Sequence, residues 1–578
     1  MERPLFKFSL WVLLVIVFVQ MNGCRACLEK ERIGLLEFKA FLKSNCELID
    51  NLDSWVEDRM SDCCGWDRVK CNTTSRRVVD LSLNEVLTFS DPKTCSLNLS
   101  MFYPFEELLG LDLSDNWFYG WIHPAAFANL KFLKTLDMSS NYFNGSISME
   151  AFANLKLLET LDISYNDFSG SILMGGFCGL KSLVKLDLSN NHFSGPLPQC
   201  LGNLSNLRYL DLSSNKFSGN MQSVVSKLTS IKRLLLSGNK FEGLFSFSVL
   251  ANHSKLEMFQ LSSGGSKLEV ETENPTWFPT FQLKIFHMSE CHLNVRTRKI
   301  PSFLLYQHGM LSIDLSHSKL VGEFPSWILQ NNSRLQVMNL MNNSLRGTFQ
   351  LPNFNHNLFK LEISNNNITG QLPKEFGLVL SNLVYINISR NSFHGILPFS
   401  IGEVRGLLLM DLSNNNFSGA LPGSMLGNCT DLNALYLSNN NFSGMIGVDI
   451  NADPSVIDIS NNKLSGKILD KGQFETFVES SYRGNPGLCG PTIYRSCNAS
   501  QVLATPLSND TKLEEEDGDG IDMVWFYWSF SASYVTILFI LIVILCINRH
   551  WRMYWFYLVD ACIYFISIRL FGTDCLCV

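Results

Sequence analysis

The sequence predicts an α/β-type repeat solenoid, with parallel β-strands on its concave face and mostly irregular or 3-10 structure on its convex face. Three observations predict it: an apolar motif that recurs at a nearly constant interval, cysteine clusters on both sides of the repeats, and a long uncharged segment near the C-terminus. One unit of the motif cannot bury its own apolar face, so stacked neighbours must bury it together. The other two observations add disulfide-bonded caps and one C-terminal transmembrane helix.

The repeated unit is clearest in residues 407–422, LLLMDLSNNNFSGALP. Leu407, Met410 and Leu412 are spaced as the buried side chains of a short strand, because successive strand side chains point to opposite faces. Asn415 follows at the turn, and this turn position recurs about every 22 to 28 residues. It is occupied in about fifteen units by Asn116, Asn141, Asn166, Asn191, Asn215, Asn239, Ser263, Cys291, Ser318, Asn343, Asn366, Asn391, Asn415, Asn440 and Asn462.

The full pattern D-L-S-x-N-x-F-S-G-x-(I/L)-P occurs in Asp187–Pro198 and Asp411–Pro422 and resembles the plant-type extracellular leucine-rich repeat. The resemblance covers nearly the whole chain. It implies a leucine-rich repeat array over residues 78–468, with an additional strand at 78–83 before the first full repeat. Between residues 262 and 310 the spacing lengthens and the turn asparagine is absent, so we expect an irregular region there.

Within this irregular region, the segment Gly264–Phe281 combines three glutamates and two prolines with Trp277. We expect it to form a short excursion from the convex side of the array. Two interpretations stay open: a loop that contacts a partner, or a surface insertion without a function, since surface loops tolerate insertions.

Residues 1–26 have the features of a secretory signal peptide. Arg3 and Lys7 form a basic start, an apolar run covers Phe8–Val19, and small residues follow at Gly23–Ala26. An N-terminal membrane anchor is the alternative, but about 12 apolar residues are too few to span a bilayer. We therefore expect the array to be secreted.

The sequon N-x-S/T is frequent, which favours a glycosylated ectodomain when a signal peptide precedes it. The net charge of −7 is spread thinly over 578 residues, so nucleic acid is not an expected partner. The candidate glycosylation sites are Asn72, Asn98, Asn144, Asn203, Asn252, Asn331, Asn342, Asn367, Asn387, Asn416, Asn428, Asn441, Asn498 and Asn509.

Residues 27–77 resemble the N-terminal cap of plant leucine-rich repeat ectodomains, with an amphipathic helix followed by a cysteine cluster. A repeat array exposes an apolar cross-section at its end, so it needs a polar lid that disulfides often stabilise. The resemblance implies that Cys27 pairs with Cys63, and Cys64 with Cys71. A metal site is the weaker alternative, because thiols oxidise outside the cell.

Residues 469–500 resemble the C-terminal cap of plant leucine-rich repeat receptors, which implies a disulfide between Cys489 and Cys497. Cys291 and Cys429 lie inside the array without an evident partner. As small buried residues they need none.

Four other cysteines leave their connectivity open. Cys46 and Cys95 can pair with each other, although the sequence does not fix this. Cys178 and Cys200 fall at nearly matching positions of adjacent repeats, so a disulfide between repeats is plausible. Such a bond would have a purely structural role.

The C-terminal part predicts a membrane protein. Residues 501–522 are rich in acidic side chains and read as a solvated linker, because their spacing does not fit a calcium-binding loop. Residues 523–548 contain no charged side chain and are long enough to cross a bilayer. Arg549 and Arg552 follow, which places the tail 549–578 in the cytosol and the array outside, a type I topology. The tail contains no protein-kinase motif.

The candidate ligand-binding residues lie on the predicted strands. Most units place an aspartate between the second and third apolar anchors, and its recurrence indicates a structural role. Units that depart from this pattern, with charged or aromatic residues at neighbouring exposed positions, form a surface that can recognise a peptide or protein. The alternative is that they are ordinary solvated side chains. The candidates are Tyr209, Lys232, Arg233, Leu235, Glu257, Gln260, Lys284, His287, Tyr385 and Tyr436.

No catalytic, cofactor-binding or metal-binding motif is found, so we do not expect an enzyme. The order of signal, cap, array, cap, acidic linker, membrane span and short tail resembles plant receptor-like proteins. That resemblance implies a plasma-membrane receptor without a kinase, which binds an extracellular peptide or protein and signals in defence or development through receptor kinases and a co-receptor. The non-repeat island and trailing repeats of larger members are not apparent.

The alternative function is a non-signalling binding protein. Such a protein would act as a ligand trap or as an inhibitor of a secreted wall-degrading enzyme. Co-purification distinguishes the two functions, because only the signalling receptor is expected to retain a receptor kinase after its ectodomain has been deleted.

Overall fold

The computed structural model describes residues 27–497, except for 47–51, 59–60, 88–94, 148, 173–178, 265–266, 274–276, 447–453 and 469–475. The predicted signal peptide 1–26, acidic linker 501–522, membrane span 523–548 and tail 549–578 lie outside the described residues. None of the helices within the described residues combines the length and the apolar character needed to cross a membrane.

The repeats build one sheet, which we call the main sheet, because the apolar stretch of each unit pairs with the same stretch of the next unit. Leu210, for example, lies opposite Leu186 on one side and Leu234 on the other. All neighbours are parallel except the first two strands. The strands are β1 Val69–Cys71, β2 Val78–Ser82, β3 Gly110–Asp112, β5 Thr135–Asp137, β7 Thr160–Asp162, β9 Lys185–Asp187, β11 Tyr209–Asp211, β13 Arg233–Leu235, β16 Met258–Ser262, β18 Ile285–Ser289, β20 Ser312–Asp314, β22 Val337–Asn339, β24 Lys360–Glu362, β26 Tyr385–Asn387, β28 Leu409–Asp411, β30 Ala434–Tyr436 and β32 Val456–Asp458.

The fifteen units recognised in the sequence each supply one of these strands, from β3 to β32. A second set of strands follows the turns and, within the described residues, forms three further parallel sheets. These flanking strands are β4 Tyr119–Gly120, β6 Tyr142–Ser146, β8 Asp167–Ser171, β10 His192–Pro196, β12 Lys216–Gly219, β14 Lys240–Phe241, β15 Gly243–Ser246, β17 Leu268–Glu271, β19 His292–Leu293, β21 Val321–Glu323, β23 Ser344–Thr348, β25 Asn367–Gly370, β27 Ser392–Gly395, β29 Asn416–Gly419, β31 Asn441–Met445, β33 Lys463–Lys467 and β34 Gly487–Cys489.

Helical structure in the repeats is short, as the sequence predicts. The helices are α1 Glu29–Asn45, α2 Gln222–Val225, α3 Trp327–Asn331, α4 Phe376–Val379 and α5 Gly423–Asn428. The 3-10 turns are Cys63–Gly65, Leu99–Phe102, Met149–Phe152, Gln199–Asn203, Phe247–Leu250, Ser302–Tyr306, Phe399–Glu403, Glu479–Ser481 and Pro491–Ile493.

Buried asparagines hold one turn to the next. The Asn166 amide donates to the carbonyl oxygen of Met138 at 2.9 Å, and its Oδ1 accepts from the backbone N–H of Phe143 at 3.0 Å. Three repeats use other residues: the Ser318 hydroxyl donates to the Met288 carbonyl at 3.1 Å, and the Cys291 thiol donates to the Leu261 carbonyl at 3.5 Å. The Ser263 hydroxyl donates to the Glu290 carbonyl. These substitutes satisfy backbone groups that would otherwise be buried without a partner.

The segment 264–281 does not form the expected surface excursion. β17 within it lies between β15 and β19, so it continues the flanking sheet. The side chain of Phe281 is buried in the core, and the Trp277 indole N–H donates to the Thr272 carbonyl at 2.9 Å. The prediction was wrong for this strand because the Ser263 unit, despite its greater length, keeps its flanking strand and fills the core with large aromatic rings.

Disulfides fasten both caps. Cys27 is bonded to Cys63 and Cys64 to Cys71, and Cys489 to Cys497, which are the pairs that the resemblance implies. A further bond between Cys46 and Cys95 joins the end of α1 to the start of the array. Cys200 is disulfide-bonded, whereas Cys178 lies outside the described residues. Cys291 and Cys429 are buried free thiols, and burial raises the pKa of both, to about 12 and about 11.

The cap helix buries a carboxylate. Glu31 on α1 is fully buried, and its Oε2 accepts from the backbone N–H of Val78 at 2.9 Å. Burial raises the pKa of the Glu31 carboxyl above its usual value. This hydrogen bond joins the helix to β2, the strand on which the array begins.

Candidate ligand-binding face

Eight of the ten candidate residues lie on or directly before four adjacent strands of the main sheet, β11, β13, β16 and β18. Tyr209 lies opposite Arg233, and the row beside it brings together Leu235, Gln260 and His287. Lys232, Glu257 and Lys284 directly precede β13, β16 and β18. We call these eight residues the central patch.

The other two candidates lie apart from the central patch. Tyr385 belongs to β26 and Tyr436 to β30, and β20, β22 and β24 separate β18 from β26. Since neighbouring strands are about 4.8 Å apart, β26 lies roughly 19 Å from β18. One ligand could contact both regions only if it extended along the sheet.

A charged row forms one edge of the central patch. Glu257 binds two lysines, with its Oε1 3.2 Å from Lys232 Nζ and its Oε2 2.9 Å from Lys284 Nζ. The hydrogen bond from Lys284 and the charge of Lys232 lower the pKa of the Glu257 carboxyl. The lysine side chains remain 46% and 55% exposed, so these ion pairs stabilise the fold little. With the exposed Arg233, the row has three positive charges against one negative charge.

The adjoining row is neutral. The Gln260 amide lies 3.1 Å from His287 Nδ1, and His287 Nε2 lies 2.8 Å from the Ser312 hydroxyl. Burial lowers the pKa of His287, which keeps the imidazole uncharged at neutral pH. Leu235 adds an apolar side chain beside Gln260. The central patch therefore combines cationic, hydrogen-bonding and apolar groups, although Ser312 was not among the predicted residues.

The recurring aspartates are structural, as their repetition suggests. Asp187 Oδ1 accepts from the backbone N–H of Ser189 at 3.1 Å and from its hydroxyl at 2.7 Å. Burial, with the neighbouring Asp162 and Asp211, raises the pKa of Asp187 to about 6. The two hydrogen bonds with Ser189 fix the end of β9. They leave Oδ2 of Asp187 on the face of the sheet.

Tyr209 differs from the other predicted contacts, because the fold already uses its hydroxyl. The phenol donates to Asp187 Oδ2 at 3.3 Å and to Asp211 Oδ2 at 3.2 Å. Burial and these two carboxylates raise the pKa of Tyr209. Lys185 lies over the Tyr209 ring at 5.4 Å and pairs with Asp162 at 2.7 Å. Tyr209 thus forms the edge of the central patch that borders the acidic part of the face.

Tyr385 is held in a similar way. Its hydroxyl donates to Glu362 Oε2 at 2.9 Å, and Lys360 lies over its ring at 4.7 Å. Glu362 Oε1 accepts from the Ser364 hydroxyl at 2.5 Å, as the aspartates do in other repeats. Burial raises the pKa of the Glu362 carboxyl. Within the described part of the chain, no group of His, Cys, Asp and Glu has the arrangement of a metal site.

Family models match both the cap and the array. The leucine rich repeat N-terminal domain matches residues 28–72, and leucine rich repeat models match 144–193, 206–228, 357–378 and 382–404. Receptor-like protein 14 of Arabidopsis thaliana is 38% identical over 514 residues, which cover 75% of this chain and 52% of that protein. Receptor-like protein 45 of the same plant is 47% identical over 439 residues, 66% of this chain and 45% of that protein.

The chain belongs to the plant leucine-rich repeat receptor-like proteins. It spans about half the length of the curated receptor-like proteins that it matches.

Solved ectodomains share the fold of this receptor-like protein. The leucine-rich repeat ectodomain of the receptor kinase GASSHO1/SCHENGEN3 from Arabidopsis thaliana, in complex with CASPARIAN STRIP INTEGRITY FACTOR 2, has a TM-score of 0.55 and 28% identity over 70% of this chain and 50% of that chain. The plant peptide hormone receptor RGFR1 in complex with RGF2 has a TM-score of 0.52 and 24% identity over 74% of this chain and 71% of that chain. The second likeness concerns the fold alone.

The sequons of the receptor-like protein are accessible where they are described. Asn498 and Asn509 lie outside the described residues, and none of the other twelve asparagines is buried. Asn387 is unusual because it lies on the main sheet, where its Oδ1 accepts from the Ser389 hydroxyl at 2.7 Å. A glycan at this position would cover part of the face between Tyr385 and Tyr436.

Proposed function

We propose that this receptor-like protein is a plasma-membrane receptor whose main sheet binds an extracellular peptide or protein. By this proposal one helix, residues 523–548, anchors it in the membrane with the array outside. The signal passes to partner receptor kinases and a co-receptor, in defence or development. The protein binds rather than catalyses, and the similarity to receptor-like proteins and to a peptide-bound ectodomain supports this proposal.

The observation that carries the proposal is the central patch. Elsewhere on the face, aspartate fixes the turn in most repeats, as Asp187 does with Ser189, and Glu362 and Asn387 make the same bonds in two others. In the central patch three successive repeats carry Leu235, Gln260 and His287 at this position, and three basic groups beside them remain exposed. The two carboxylate oxygens of Glu257 bind Lys232 and Lys284, and the exposed Arg233 adds a third positive charge beside them. A cationic group beside neutral hydrogen-bonding groups can bind the acidic side chains or the C-terminal carboxylate of a peptide.

Affinity capture with the purified ectodomain tests the proposal. Charge reversal with Lys232→Glu and Arg233→Glu should weaken capture of the ligand without unfolding the array, because both side chains are exposed. Lys255→Glu with Lys267→Glu is the matched control, since these exposed lysines lie outside the main-sheet strands. Unchanged capture by the first variant would remove the central patch from consideration.

Co-purification of the full chain tests the signalling part of the proposal. A receptor kinase that is retained after the ectodomain has been deleted supports association within the membrane. Recovery of only a soluble wall enzyme or peptide, with no kinase, would instead support a ligand trap or an enzyme inhibitor.

A further inference from the structure

A groove lies beside the main sheet, where the chain leaves β3, β5 and β7 and turns toward the flanking strands. Its volume is about 550 Å³, and no residue of the central patch lines it. We call it the turn groove. The side chains that matter for its chemistry are those of Asp115, Trp117, Tyr142, Tyr165, Asp167 and Asn190.

Two aromatic rings form one wall of the turn groove. The rings of Trp117 and Tyr142 stack with their centroids 5.5 Å apart and their planes at 23°. They belong to consecutive repeats, so the wall continues from one repeat to the next. Trp117 also packs against the buried core, which fixes the wall in place.

Tyr165 adds a third ring from the next repeat, at a backbone position that disfavours it. Its φ is 51°, in the left-handed region that bulky residues rarely adopt. The same position holds Asp115, Ser140 and Asn190 in neighbouring repeats. The Tyr165 side chain is 60% exposed, so burial in the core does not offset this strain. A positive φ recurs at this turn position in repeats outside the groove, as at Arg390 and Asn414, so the exposed ring is what distinguishes Tyr165.

The polar groups of the turn groove limit the ligands it can take. Among the described residues no lysine or arginine lines it, while Asp115 and Asp167 contribute carboxylates and Asn190 an amide. An anionic ligand would be repelled. A purely apolar ligand would remove water from these polar groups, which costs free energy.

We infer that the turn groove binds a neutral oligosaccharide. A pyranose ring presents a flat face of C–H groups, which packs against an aromatic ring, and a rim of hydroxyls, which bond to carboxylates and amides. The three rings lie on consecutive repeats, so the groove spans roughly 10 Å, enough for about two sugar rings. This site is separate from the central patch, and its existence does not depend on the proposed function.

The competing ligand is a cationic peptide, since a lysine or arginine can also bind between carboxylates and aromatic faces. Two observations favour the sugar. Asp167 already faces His192, with Oδ1 3.8 Å from Nε2. In addition, the Trp117 and Tyr142 rings stack on each other, so they do not form a cage around one cation.

The test measures binding of cellohexaose to the purified full chain by calorimetry and tryptophan fluorescence. All samples carry Asn144→Gln, because Asn144 pairs with Asp167 in the flanking sheet and a glycan attached there would compete for the groove. Hexalysine and an oligogalacturonide of equal length are the comparison probes. We expect saturable binding of cellohexaose and none of the two charged probes.

Tyr165→Asn removes the ring and places at this position the residue type found at Asn190. We expect cellohexaose to bind about tenfold more weakly, while the thermal midpoint rises because the backbone strain is relieved. Tyr306→Ser, which removes an exposed ring outside the groove, should leave binding unchanged. Absence of saturable cellohexaose binding, equal binding by the Tyr165 variant, or Tyr165-dependent binding of hexalysine in its place would overturn the inference.

Discussion

Replacing Asp187 by asparagine should stabilise the array at neutral pH. Asp187 is buried between Asp162 and Asp211 on the main sheet, and an asparagine can make the same structural bonds. Asn387 shows this in another repeat, because its Oδ1 accepts from the backbone N–H and hydroxyl of Ser389 at 3.1 and 2.7 Å. Asp187 makes the corresponding bonds to Ser189 at the same two distances.

The magnitude follows from the pKa of Asp187, which rises from 3.8 to about 6 on folding. The folded protein binds more protons than the unfolded chain between about pH 4 and pH 6, so this group lowers the free energy of unfolding as the pH rises through that range. A shift of about 2 pKa units corresponds to about 3 kcal/mol. The weaker hydrogen bond from Tyr209 to an amide offsets about 1 kcal/mol. The variant should therefore be more stable by about 2 kcal/mol above pH 6.

Asp187→Asn creates an N-x-S sequon with Ser189, so all samples are produced without N-glycosylation. Urea unfolding at pH 4, 5, 6 and 7.5, followed by circular dichroism, measures this difference. The advantage of Asp187→Asn should shrink as the pH falls toward 4, where the wild-type carboxyl is protonated in the folded state. Asp458→Asn is the matched control, because Asp458 occupies the same position in its repeat but lies opposite Tyr436 rather than between two aspartates. A variant that is less stable at pH 7.5, or an advantage that does not change with pH, would refute the electrostatic reasoning.

Two further predictions concern stability. Asn166→Ala should lower the free energy of unfolding by about 3 kcal/mol, since the Met138 carbonyl and the Phe143 N–H lose their buried partner. A loss below 1 kcal/mol in urea unfolding would contradict the role given to the buried asparagines, and the exposed Asn355→Ala is the control. Cys27→Ser with Cys63→Ser, which opens a loop with a sequence separation of 36, should cost about 4 kcal/mol by loop entropy; equal thermal midpoints for wild type and variant would show that the cap does not limit stability.

The sequence by itself determined the repeat and its strands. The spacing of Leu407, Met410 and Leu412 is a local property, and the turn asparagine follows at a fixed distance, so each unit could be recognised without knowledge of its neighbours. The turn asparagine is replaced in a few units, as by Ser263 and Cys291. The structure shows that the side chains of both still donate to a backbone carbonyl.

Only the tertiary structure decided which of these side chains meet. His287 contacts Gln260 and Ser312 across strands that are about 25 residues apart along the chain, and Tyr209 reaches two carboxylates of which one belongs to the preceding repeat. Likewise, Glu31 is buried only because α1 packs against β2. Such contacts depend on strand register and on the path of the chain between strands, and neither is encoded in the local spacing of apolar residues.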